Sequence, residues 1–131
     1  MQKSKIFMLA IGLIFISILV QQISASNIGA WNPTTSMPQG LESPVAVAFG
    51  DYIYVLGGLA FSNNFPSDNA YRAFINAEGS LSSWESTSSF SNSRYLHAAV
   101  VDPQTRTVYV IGGVNNTSGL NPINSVQYTK I

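Results

Sequence analysis

Past Ser26, apolar residues come in short runs that stop at turn formers, and no stretch repeats with the 3.6-residue period of an amphipathic helix. Val45–Phe49 and His97–Val101 are rich in valine and alanine. Tyr52–Leu56 and Thr107–Ile111 are β-branched and aromatic, and each halts at a Gly-Gly pair. These runs predict strands in pairs, joined by Gly50-Asp51 in one case and by the Asp-Pro-containing turn 102–106 in the other. Third strands are expected over Asn69–Ile75 and Ser125–Thr129. A fourth follows at Leu81–Trp84 after the turn Glu78-Gly79, and a leading one lies near Ile28–Trp31. The part of the chain after Ser26 is predicted to be all-β.

The runs recur. Gly57-Gly58 and Gly112-Gly113 lie 55 residues apart (112 − 57), and Asn69 and Asn124 keep the same spacing (124 − 69). Trp31 and Trp84 are 53 apart (84 − 31), and each is followed six residues later by a large apolar residue, Met37 or Phe90. The difference of two is accounted for by the longer turn 102–106. A period of this length is the mark of a repeat architecture, in which each unit needs a neighbour to cover its apolar face.

The string Arg94-x-x-His97-Ala98-Ala99-Val100-Val101, followed by Tyr109-Val110-Ile111-Gly112-Gly113, resembles the start of a kelch repeat. Gly57-Gly58, with Tyr71 and Trp84 after it, is similar to that repeat's tail. The resemblance covers about residues 31–131 and implies a partial kelch-type β-propeller of about two four-stranded antiparallel blades. Its structural motif would comprise Gly57, Gly58, Tyr71, Trp84, Arg94, His97, Gly112 and Gly113. The first unit departs from the pattern, with Leu41 and Pro44 where the second has Arg94 and His97. Double glycine permits positive φ and close chain approach, while the aromatics supply buried area between units. Propellers normally have four to eight blades. Two therefore imply further blades from a longer gene product, a homo-trimer or homo-tetramer completing a ring, or an open wedge with bare strand edges.

The N-terminus alters the picture of where the protein works. Lys3 and Lys5 precede the uncharged, largely apolar stretch 6–20, and small residues follow at Ser24–Ser26. This is the layout of a secretory signal peptide over residues 1–25, cleaved after Ala25, with cleavage after Ser26 as the alternative. The other reading is an uncleaved membrane anchor, which would have to bury Gln21 and Gln22. Residues 26–131 then form the exported module, secreted or held at the cell surface. The whole chain of 131 residues has six basic and six acidic side chains and no cysteine, so it offers neither a basic footprint for nucleic acid nor a disulfide.

Candidate chemistry is sparse. His97 is the sole histidine, and a metal site or a histidine-based triad needs partners of defined geometry, so packing is the expected role. The resemblance extends to copper radical oxidases, whose cross-linked cysteine this chain lacks, and to sialic-acid epimerases. In the latter case Arg94, Glu42 and Glu85 are the residues that could line a funnel. No carboxylate spacing marks acid–base work. The double glycines open no helix and precede no Lys-Ser or Lys-Thr, so they are not phosphate loops. Asn115-Asn116-Thr117-Ser118 holds two overlapping glycosylation sequons. The loops 61–68 and 115–124 are the candidate binding rim, with Phe61, Phe65, Asn115 and Asn116 foremost and Tyr71 beside them.

The reading that results is a noncatalytic module, without cofactor, that binds a protein or carbohydrate through these loops. The alternative is a fragment of a propeller enzyme, epimerase-like or oxidase-like, whose catalytic residues lie in missing blades.

Overall fold

A computed structural model describes residues 28–118 and 121–131. The expected signal peptide lies outside these residues. Ile28–Asn32, which belong to a separate N-terminal unit, contain no strand, contrary to the one expected at Ile28–Trp31. Pro33–Ile131 form one compact unit. All regular structure in it is β: β1 (Leu41–Glu42), β2 (Val45–Phe49), β3 (Tyr52–Leu56), β4 (Leu59–Ala60), β5 (Phe65–Pro66), β6 (Ala70–Phe74), β7 (Glu85–Ser86), β8 (Ala98–Asp102), β9 (Thr107–Ile111) and β10 (Val126–Lys130).

Three antiparallel sheets result, ordered β2-β3-β6-β7, β8-β9-β10 and β1-β4-β5. The first two are successive meanders laid one on the other, with β2 beside β8 but not hydrogen-bonded to it. In the first, Val45, Leu56 and Ala70 share a cross-strand row, as do Val47, Tyr54 and Arg72. That face meets Ala99, Val101, Val108 and Val110 of the second sheet around a core of Leu56, Ala70, Val108 and Val110. Burying each Val or Leu side chain here stabilises the fold by roughly 1.5–3 kcal/mol. On the far face of the first sheet, Val55, Tyr71 and Ala73 are also buried. The segment before β1 is tied to this sheet: Gln39 donates to the Tyr71 hydroxyl (3.1 Å), and the Trp84 indole donates to the Thr35 carbonyl (3.1 Å).

The repeat holds in the backbone as well as in the sequence. Gly57 and Gly112 have φ of 58° and 62°, and Gly58 and Gly113 both have 99°. Ser43 and Leu96, 53 apart, are both left-handed at 50° and 53°, although neither is glycine. The ribbon rung Glu42–Leu59–Pro66 is matched by single bridges Tyr95–Val114–Pro122. One equivalence shifts. The Gly57 N–H donates to the Asn69 carbonyl, whereas the Gly112 N–H donates to that of Ser125. Ser125, not Asn124, is therefore the counterpart of Asn69, and the second loop is one residue longer.

The fourth strand also lies later than expected, at Glu85–Ser86 instead of Leu81–Trp84. Leu81 makes only an isolated bridge to Ile75, and the Ser82 hydroxyl accepts the Phe74 N–H (2.9 Å). A side-chain oxygen thus takes the ladder's acceptor position, and regular pairing resumes three residues on.

Candidate functional site

Two regions gather the residues singled out by sequence: the seam between the two large sheets, and the loop ends beside the small ribbon. At the seam, Arg94 is fully buried (0% exposed), without a carboxylate partner among the described residues. Its guanidinium donates to the carbonyls of Asn92 (3.1 Å), Gly112 (2.9 Å) and Ser125 (3.2 Å) and to the Ser125 hydroxyl (3.0 Å). It also lies 5.6 Å from the Phe90 ring centre. Burial lowers its pKa. Arg94 is thus a clamp that fastens the approach to β8 onto the ends of β9 and β10. It supplies no charge to a funnel.

His97 is 8% exposed, and neither ring nitrogen has a hydrogen-bond partner among the described residues. Burial, reinforced by the nearby Arg94 charge, pushes its pKa down to about 4, against a weak opposing pull from the Leu56 carbonyl. Glycines make room for it. A Cβ on Gly57 would stand 2.7 Å from the Arg94 oxygen and 2.8 Å from His97 Cε1, and one on Gly113 would stand 2.7 Å from His97 Cβ. In the first unit Pro44 occupies the equivalent place, 3.1 Å from a Cβ built on Gly58. The neutral imidazole here fills space as a flat, largely apolar wedge.

Of the other residues weighed for acid–base chemistry, Glu85 is taken up by an exposed ion pair with Arg72 (2.9 Å). Glu42 sits on the ribbon, exposed. Among the described residues, no three His, Asp or Glu side chains are grouped as a cation would require.

The loop ends present a different surface. β4 and β5 form a two-rung hairpin in which Ala60 pairs with Phe65. Its turn is closed by the Asn64 N–H donating to the Ala60 carbonyl (2.9 Å) and by the Phe65 N–H donating to Asn63 Oδ1 (3.1 Å). The Phe61 N–H is anchored to the Gly40 carbonyl (3.1 Å). Both aromatics flanking this turn point away from the core: Phe61 is 89% exposed and Phe65 64%. Tyr71 is not with them. It is buried, and its hydroxyl is engaged by Gln39 and Asn69. In the second loop, Asn115 Oδ1 accepts from Asn121 Nδ2 (3.2 Å), and the Asn116 carbonyl accepts from the Tyr95 hydroxyl (3.3 Å). That leaves a shallow polar depression bordered by Asn92, Asn115 and Asn124.

Sequence reasoning did not single out the cleft of about 420 Å³ that opens where the sheets diverge. Leu56, Val108 and Phe90 line its floor and Arg72, Gln127 and Lys130 are among its other walls. Its only sequence signal is that Leu56, Arg72, Val108 and Gln127 fall on facing sides of two stacked sheets. No protein-family model matches the chain, and no curated protein matches it.

Proposed function

We propose that the chain is an exported, noncatalytic kelch-type module, two blades of a β-propeller, that binds a protein or carbohydrate through the loops at the ends of its sheets. The observation that carries the reading is the exposed pair Phe61 and Phe65 on a hairpin braced at both sides of its turn. Large aromatic faces held at fixed positions lose little entropy on binding and suit the apolar face of a sugar ring or an anchoring side chain of a protein. The polar depression beside Asn115 and Asn124 adds amide donors and acceptors of the kind that orient such a ligand. Further support for the propeller is the recurrence of the double-glycine backbone geometry and the stacking of the two meanders face to face. The buried Arg94 and His97, spent on the seam, favour binding over catalysis.

The test compares the wild-type chain with Phe61→Ala/Phe65→Ala on a panel of immobilised glycans and in pull-downs against cell-surface proteins. A ligand found with the wild type is expected to bind the double variant at least tenfold more weakly. Unchanged binding would remove the hairpin from the site. Export is tested separately by intact mass of the mature protein, with a start at Ser26 or Asn27 expected.

A further inference from the structure

The outer face of the second sheet is the repeat counterpart of a face that is buried in the first. Rows Ala98–Ile111–Val126 and Val100–Tyr109–Tyr128 stand where Val45–Leu56–Ala70 and Val47–Tyr54–Arg72 stand one unit earlier. In the first sheet the second covers that face, leaving Leu56 and Ala70 each 5% exposed. In the second sheet it is bare: Val100 is 52% exposed, Ile111 41%, Val126 56% and Tyr128 71%.

The double glycines carry the same asymmetry. The hollow at Gly57 is filled from the second sheet by Arg94, His97 and Phe90, and the Gly58 N–H donates across the seam to the Arg94 carbonyl (2.9 Å). The hollow at Gly112 is open among the described residues, with the Ile123 carbonyl nearest, 3.4 Å from a built Cβ. The Gly113 N–H has no backbone partner among the described residues.

The complementary surface is on the same chain. The second sheet meets the first with Ala99, Val101 and Phe90. Their counterparts at the far side of the first sheet are Ala46, Ala48 and Met37, with Ala46 and Ala48 exposed and Met37 half-buried. Leu41 is the counterpart of Arg94, whose carbonyl receives the glycine N–H. The first-sheet patch holds no charged side chain, and on the outer face the charged residues Asp102 and Lys130 stand one rung beyond Val100 and Tyr128, at its border.

We propose that the second sheet's outer face docks a second copy of this chain, head to tail. The far face of the first sheet of one copy would cover Val100, Ile111 and Tyr128 of the next, repeating between chains the seam found within each. Self-pairing of the outer face would offer the Gly113 N–H no counterpart of the Arg94 carbonyl that receives the Gly58 N–H within the chain, whereas the head-to-tail contact supplies the Leu41 carbonyl in that place. Contacts of this kind give rings where the rotation closes and filaments where it does not. This inference rests on strand register and stands apart from what the loops bind.

Light scattering and native mass spectrometry on the full chain provide the test, using Val100→Glu on one patch and Ala48→Glu on the other. Wild type is expected to assemble beyond a dimer, and each variant to run as a monomer with an unchanged far-ultraviolet circular dichroism spectrum. An equimolar mixture of the two, with one intact patch on each partner, should form a heterodimer and nothing larger. Should Val100→Glu misfold, Tyr128→Glu replaces it on the same face. Three results would each overturn the proposal: a wild-type monomer at about 100 µM, an assembly that neither substitution reduces, or a mixture that stays monomeric. The first would leave the face to a partner of another sequence.

Discussion

Acidifying the protein from pH 7.5 to pH 5 weakens the fold through His97. The folded pKa of about 4 lies below the ordinary value of 6.5 because the ring is buried, unpaired and close to the Arg94 charge. The unfolded chain therefore takes up a proton as pH falls through 6.5, while the folded chain does not until near 4. The stability held by the neutral ring is complete above pH 6.5 and drains away between 6.5 and 4. At 1.36 kcal/mol per unit, the loss reaches about 2 kcal/mol at pH 5 and roughly 3 kcal/mol at pH 4. Glu78 and Asp102 are held below the ordinary carboxylate range by hydrogen bonds, so their own losses fall at lower pH. Urea unfolding at a series of pH values reads the effect. With a single histidine in the chain, NMR titration of its Cε1 proton is unambiguous. His97→Leu should flatten the curve between pH 7 and pH 5. A His97 midpoint near 6.5, or a wild-type stability that is level across this window, would refute the reasoning.

Further predictions concern the seam. Gly57→Ala and Gly112→Ala impose the same left-handed φ, but only the first Cβ collides with packed atoms. In the Ala48→Glu background, Gly57→Ala should therefore cost about 1–3 kcal/mol more in chemical denaturation, and equal costs would show that His97 and Phe90 yield freely. Arg94→Met leaves the carbonyls of Gly112 and Ser125 without their buried donor. A loss of about 2–4 kcal/mol is expected by urea titration, and less than about 0.5 kcal/mol would show that water or a neighbour replaces the guanidinium.

Much of the fold was legible because long strands carry a period. Residues 52–56 and 107–111 alternate between faces and end at double glycine, and both appear as strands at those positions. The ribbon was not legible. Leu41–Glu42, Leu59–Ala60 and Phe65–Pro66 are two residues each, too short to express any alternation, and pairing alone defines them. Phe61 and Phe65 could be named as surface aromatics, yet their placement on a braced hairpin depends on backbone bonds from Asn64 and Phe61 that leave no mark in residue type. The displaced fourth strand shows competition of another sort. Leu81–Trp84 looks like a strand by its apolar ends, but the Ser82 hydroxyl captures the Phe74 N–H first.

The two openings, Leu41–Pro44 and Arg94–His97, carry one backbone geometry on different side chains. Ser43 and Leu96 hold the same strained φ, and the glycines after each inner hairpin take the same angles. A left-handed non-glycine residue costs on the order of 1 kcal/mol and persists only where its surroundings enforce it. In the second unit the Arg94 clamp and the His97 wedge supply that enforcement. In the first, the Pro44 ring fills the space over Gly58, but it does not select the left-handed φ of Ser43, since a residue before proline favours extended backbone. The Ser43 carbonyl is instead tied across the seam by the Leu96 N–H (3.4 Å). Removing Arg94 therefore withdraws a donor from Asn92, Gly112 and Ser125 together.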